Sequence, residues 1–242
     1  MTEHQTKKRK MESDVSETEK ASEKTSPPTP AKYTRGDLVT LLIGPDEQEL
    51  VVCGQLLTKT SEFFEAALKK EWKEGQTRMV RLPEEDAETT IHYLDFVCGQ
   101  GLPTRALKLY GDFAESEDEY LMLAQLYAFG ERVLHKAVRN AVMAEVLRIS
   151  SLRNEKGGMF LPGDDAILAI YQATPANSPV RRLLVDLHVS YGLPNSLTPD
   201  TSDMNCMIHL ADLAKVFNER VMESQHTDDI RDCELSADDY FV

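Results

Sequence analysis

The chain has 242 residues, a formal net charge of -14 and 41% hydrophobic residues. That length accommodates one domain with an extension or two small domains, and the acidic balance works against direct contact with nucleic acid or an anionic membrane surface. No apolar run reaches the roughly 18–20 residues that span a bilayer, and the opening MTEHQTKKRK lacks the apolar segment of a secretory signal.

Residues 1–32 are mostly Lys, Glu, Ser, Thr and Pro. Such a stretch buries too little apolar surface to offset its ordering entropy, so it is expected to be a disordered tail. Lys7, Lys8, Arg9 and Lys10 within it read either as a nuclear-import patch or as a solubilising cluster. An ordered unit over 33–151 opens with VTLLIG (39–44). Its apolar residues on both sides of the alternation predict a strand covered on both faces. GPDEQ (44–48) is turn material and predicts a hairpin to LVVC (50–53). Leu56, Leu57, Phe63, Phe64, Ala67 and Leu68 recur at helical spacing, with Ser61 placed as an N-cap between two short helices. Met79, Val80 and Leu82 make a third short strand. Pro83 and Asp86 open a helix whose inner face reads Ala87, Ile91, Leu94, Val97 and Cys98, and Gly99 and Gly101 end it.

The 104–115 stretch reads as loop. Ser116 with Glu119 has the spacing of a capping box for a helix over 117–134, whose LMLAQLYAF (121–129) is apolar almost all round and therefore central. A helix over 135–151 turns Val138, Ala141, Val142, Val146 and Ile149 inward. A helical extension occupies 152–226. It holds a short helix over 164–174, a helix over 178–191 with Pro179 at its first position, and one over 203–224. The last carries Met207, Leu210, Ala214, Phe217 and Val221 at alternating three- and four-residue steps; Met204, Met207 and Phe217 are expected to pack as core against 178–191, the alternative being an exposed groove. Residues 227–242 are expected to be a loose acidic tail.

The strings DLVTLLIG, ELVVCGQLLTKTSEFFEAALKKEWKEG and MVRLPEEDAETTIHYLDFVCGQGLP resemble a BTB/POZ domain of fungal type, and LMLAQLYAFGERVLHKAVRNAVMAEVL resembles the helical pair that closes it. The resemblance covers about residues 35–150. It implies an α+β fold, a small mainly antiparallel sheet flanked by helices and followed by an all-helical C-terminal extension. It also implies self-association, recruitment of other proteins, or service as a substrate adaptor for a cullin-based ubiquitin ligase. One departure is Cys53, where the family usually carries His; the hydrogen bond a buried His makes there is lost.

Trp72-Lys73-Glu74 matches the hydrophobic-x-Glu pattern that cullin-binding members carry before the third strand. The resemblance implies that Trp72 and Glu74 hold a partner, with Phe63 and Phe64 supporting the helix beneath. The alternative is that Trp72 packs back on Phe64 and Leu68 to close its own helix. Arg181-Arg182 is expected on a solvated outer face. His135, His188 and His209 lack metal-ligand spacing. The four cysteines, Cys53, Cys98, Cys206 and Cys233, are widely spaced and read as reduced thiols. Without GxSxG, HExxH, GxGxxG or GxxxxGK[ST], no enzyme activity, cofactor, metal or small-molecule substrate is expected. The expectation is an intracellular protein–protein interaction module, with the nucleus favoured over the cytoplasm by the basic patch. It works with a cullin scaffold or itself, or alternatively as a non-ligase nuclear scaffold or transcriptional regulator acting through oligomerisation.

Overall fold

A computed structural model describes residues 37–104, 113–153, 158–191, 204–223 and 235–242. They belong to one contact unit, Tyr33–Val242. The class is mixed α+β, with a small three-stranded sheet and mostly helices. Strands β1 (Leu38–Ile43) and β2 (Gln48–Cys53) form the hairpin. Helices α1 (Gly54–Thr60), α2 (Glu62–Ala67) and the short α3 (Lys73–Thr77) then lead into β3 (Met79–Leu82) and α4 (Ala87–Val97). Helices α5 (Phe113–Arg132), α6 (Lys136–Ser150), α7 (Asp164–Ala173), α8 (Pro179–Tyr191) and α9 (Met204–Glu223) follow. None of the described helices is long and apolar enough to cross a membrane.

The sheet order is β2-β1-β3, with β1–β2 antiparallel and β1–β3 parallel. The sheet is therefore evenly mixed and not mainly antiparallel. A tight hairpin dictates the first pairing, whereas the helical crossover α1–α3 returns the chain in the direction of β1. Val39, Leu41, Ile43, Val52, Val80 and Leu82 share a face and are buried. On the other face Leu42 of β1 is also buried, as cover on both sides predicts, but the rest of that face is largely open. Thr40 lies between Val51 and Met79 in register, and Val51 is 61% exposed.

Ser61 is the N-cap of α2, as its position suggested. Its Oγ accepts from Phe64 N at 3.1 Å and donates to the Val133 carbonyl at 2.5 Å, tying the helix pair to the end of α5. In α4 the fully inward residues are Thr89, Thr90 and Tyr93; of the predicted inner face Ala87, Leu94 and Val97 pack partly buried against the core, while Ile91 and Cys98 are exposed. The helix is turned by Tyr93, whose ring packs 4.7 Å from Phe129 and whose hydroxyl meets His135 Nδ1 at 3.1 Å. Asp86 caps α4 through Thr89 N, and Gly99 at φ +84° ends it.

Helix α5 begins at Phe113, so Ser116 and Glu119 lie inside it and do not form an N-terminal box. Its Leu123, Leu126, Tyr127 and Phe129 are fully buried, the central position their sequence implied. The extension shares this core: Phe160, Ile167, Ile170, Tyr171, Leu183 and Leu187 belong to the same cluster as the strands.

Three expectations about the extension are corrected. Arg181 is buried, because its guanidinium satisfies the C-terminal carbonyls of α7: it donates to Tyr171 O at 2.7 Å, to Thr174 O, and to Thr174 Oγ1 at 3.0 Å, and lies 4.3 Å over the Tyr171 ring. On α9, Met204, Met207 and Phe217 are exposed, while Cys206 and His209 are buried. The stripe expected inside faces out, because α9 is attached through polar contacts. The segment at Tyr240–Val242, expected to be loose, is docked. Tyr240 is buried, its hydroxyl donates to Asp186 Oδ2 at 2.9 Å, and Val242 exchanges hydrogen bonds with the Asn140 side chain.

Replacing Ser61 by Ala removes a cap and leaves the Val133 carbonyl buried without its donor. The expected cost is about 2 kcal/mol, read as a lower urea midpoint with unchanged slope.

Candidate interaction surface

The segment between α2 and β3 is shaped by a close backbone approach. A Cβ on Gly75 would lie 2.0 Å from the Lys69 carbonyl oxygen and 2.8 Å from that of Leu68, so only glycine lets α3 fold back against the end of α2. Trp72 N donates to Lys69 O at 3.0 Å, Gln76 N to Trp72 O at 3.1 Å, and Gln76 Nε2 to Lys70 O at 3.1 Å. Arg78, at φ +57°, ends α3 in the left-handed region and turns the chain into β3.

This tight knuckle leaves Trp72, at the N-cap position of α3, 60% exposed. Most of the indole is therefore open to solvent, while Phe64 and Leu68 are buried. The next two residues, Lys73 and Glu74, line a cleft of about 260 Å³ together with Phe63, Ala67, Thr77, Met79, Val80 and Arg81. Glu74 is half-buried there. Arg81 is held by Glu47 at 2.8 Å, which leaves Lys73 as the cleft's more adaptable cation.

Of the four residues singled out from sequence, Phe63 and Glu74 thus come together in one cleft, and Trp72 stands next to Lys73 on its wall. Phe64 is a core residue with no exposed surface. It meets Phe63 edge-on at 5.1 Å and Tyr93 at 6.4 Å, so it can support the site but cannot touch a partner. Lys7, Lys8, Arg9 and Lys10 lie outside the described residues. Met79, Thr77 and Arg81 were missed as lining residues. The alternation of β3, with Val80 and Leu82 inward, was the signal that placed Met79 and Arg81 outward.

A second concentration of titratable groups joins α7, α8 and α9. Tyr171 donates its hydroxyl to Asp212 Oδ2 at 3.0 Å and accepts from His209 Nδ1 at 3.0 Å. The His209 ring stands 5.3 Å from that of His188, whose two nitrogens face the Leu184 and Pro162 carbonyls at 2.8 and 3.1 Å. Burial lowers His135 to about 4, with Arg139 adding to the effect, and lowers His209 to about 3, with His188 adding, so both are neutral; burial lowers His188 as well, against the carbonyls of Leu184 and Pro162 and the charge of Asp164, which favour its protonated ring. Among the described residues no three His, Cys, Asp or Glu side chains converge as a metal ion would require. The cluster holds the last helix in place.

No family model matches the chain, and no curated protein matches it.

The neutral histidines give a signed pH dependence. Their folded values lie below the ordinary 6.5, so the unfolded chain binds more protons in the window between. Stability is full above about pH 6.5 and declines as pH falls toward 4. His209→Asn is expected to lose about 2 kcal/mol less than the parent between pH 6.5 and 4.5, measured by urea unfolding at each pH.

Proposed function

We propose that the chain is a BTB/POZ-type protein–protein docking module. The order hairpin, helix pair, short helix, third strand, helix supports that reading, as does the placement of a closing helical pair after it. The observation that carries it is the 60% exposed Trp72 on a loop pinned by Gly75, beside a cleft containing Phe63 and Glu74. The turn fixes the backbone that carries Trp72, so binding has only side-chain freedom left to remove. Burying the indole against a partner returns its full contact area. Lys73 and Glu74 add one charge of each sign beside it, giving orientation rather than bulk affinity.

The partner this pattern favours is the N-terminal region of a cullin scaffold, the chain acting as an adaptor by docking without turnover. A second reading, a scaffold that works by self-association without a ligase, draws on the exposed apolar face of α9.

Purified chain is expected to bind a cullin N-terminal region, and Trp72→Ala to weaken that binding by at least about 1–2 kcal/mol in calorimetry. The melting temperature should be unchanged, since the side chain is outside the core. Absence of binding at tens of micromolar, or equal affinity in the variant, rejects the adaptor reading.

A further inference from the structure

The segment from Leu235 to Val242 meets the folded body as a ligand meets a receptor. Residues 224–234 separate it from α9 in the chain, and it lies against α6 and α8. Among its eight residues only Tyr240 is fully buried, while Ser236, Asp238, Asp239 and Phe241 face solvent. A single anchor side chain between exposed neighbours is the pattern of a short peptide motif in its groove.

The body holds the anchor's neighbours by their backbone. Asn140 of α6 grips Val242 at two points, accepting from its N–H at 3.0 Å and donating to its backbone oxygen at 3.4 Å. Arg182 of α8 donates to the Asp239 carbonyl at 2.5 Å, and its guanidinium lies 5.2 Å over the Tyr240 ring. None of the hydrogen bonds to residues 239 and 242 depends on their side chains. The anchor itself is read by chemistry. The Tyr240 hydroxyl donates to Asp186 Oδ2 at 2.9 Å, and Arg220 holds the other carboxylate oxygen at 2.6 Å. Arg220 also donates to Ser190 at 2.9 Å. The Asp186 acceptor is thus oriented from α9, independently of the tyrosine, which leaves little of the site to be ordered on binding.

We propose that the groove between α6 and α8 is a binding site for short peptides anchored by an unphosphorylated tyrosine, and that residues 235–242 occupy it in cis. The partner it fits is a protein segment whose tyrosine follows a free backbone carbonyl and precedes, by two residues, a free N–H. Phenylalanine lacks the donor that Asp186 receives, and phosphotyrosine sets about two negative charges against that carboxylate. Tethering keeps the site closed, because a segment on the same chain competes at an effective concentration on the order of millimolar. A partner peptide opens it by displacing residues 235–242. This inference is independent of what Trp72 contacts.

The test uses the full chain and a fluorescein-labelled peptide of residues 235–242, with binding read by fluorescence anisotropy. Tyr240→Ala removes the cis anchor and leaves the receptor side chains in place. The peptide is expected to bind this variant at least about tenfold more tightly than the parent, where the tethered segment competes. Adding Asn140→Ala to Tyr240→Ala should weaken the peptide about fivefold, and the phosphotyrosine form of the peptide should not bind. Hydrogen exchange on the unmodified chain gives a second readout that needs no variant. The amides of Tyr240 and Val242, bonded to Ala237 O and Asn140 Oδ1, should exchange by local opening at least about a hundredfold faster than those in the middle of α5. Excess unlabelled peptide should speed their exchange further by blocking reclosure. Peptide binding that is absent from the variant or equal in variant and parent, a phosphotyrosine peptide that binds as well as the tyrosine one, or exchange of both amides only together with α5 overturns the inference.

Discussion

Everything in the unit leans on the burial of α5. Leu123, Leu126, Tyr127 and Phe129 are fully enclosed, with α4, α6 and α7 packed around the helix that carries them. An aromatic chain from Phe129 through Tyr93 to Phe64 carries that packing across to the helix pair, and the Ser61 hydroxyl on the Val133 carbonyl secures the same junction with a buried hydrogen bond. At the C-terminal end of the helix, Arg132 pairs with Glu85, and Glu131 with Arg139 of α6. The sheet is too small to be stable by itself, so its six inward apolar residues depend on this helical floor.

That floor is what makes an exposed tryptophan tolerable. The knuckle around Gly75 sits on α2, whose Phe64 is locked into the core, so the position of Trp72 is set by covalent geometry and backbone hydrogen bonds rather than by its own packing. A similar division holds at α9. Part-buried polar contacts to Tyr171, Asp186 and Ser190 help attach it, while Met204, Met207 and Phe217 stay out of the core. In both places the apolar group that faces water is not needed for folding. Such groups keep a native state intact while leaving surface free for association.

The sequence was most legible where one local rule decides. Ser61 before an acidic first turn reads as a cap, LMLAQLYAF as a buried helix, and Gly99 as a helix end, and the coordinates agree at all three. It misled where two rules compete. Ser116 and Glu119 match a capping box, but the helix already runs from Phe113. In α4 the stripe through Ile91 and Cys98 lost to the one through Thr90 and Tyr93, because an aromatic ring with a hydroxyl partner in His135 fills the gap that small aliphatics would leave. The three-four steps of α9 predicted an inward stripe, yet Met207 and Phe217 face out, because the contacts to Tyr171 and Asp186, residues remote in the chain, hold the helix by another side. Arg181 looked like a solvated charge because the carbonyls of Tyr171 and Thr174 that receive it become neighbours only after α7 and α8 fold together. At the candidate site, Trp72 and Glu74 were readable from their pattern. The cleft wall from Met79 and Arg81 needed the third strand's register.

The docked C-terminal segment has a bearing on biosynthesis. Asp186 is shared by Arg220 and Tyr240, and Asn140 waits for Val242, a partner more than a hundred positions later. Chain emerging from a ribosome can settle the hairpin and the first helices early, since their contacts are local. The carboxylate of Asp186 and the amide of Asn140 gain their final partners only after residues 220–242 have been made. Until then the junction of α6 and α8 with the following segment lacks its last hydrogen bonds.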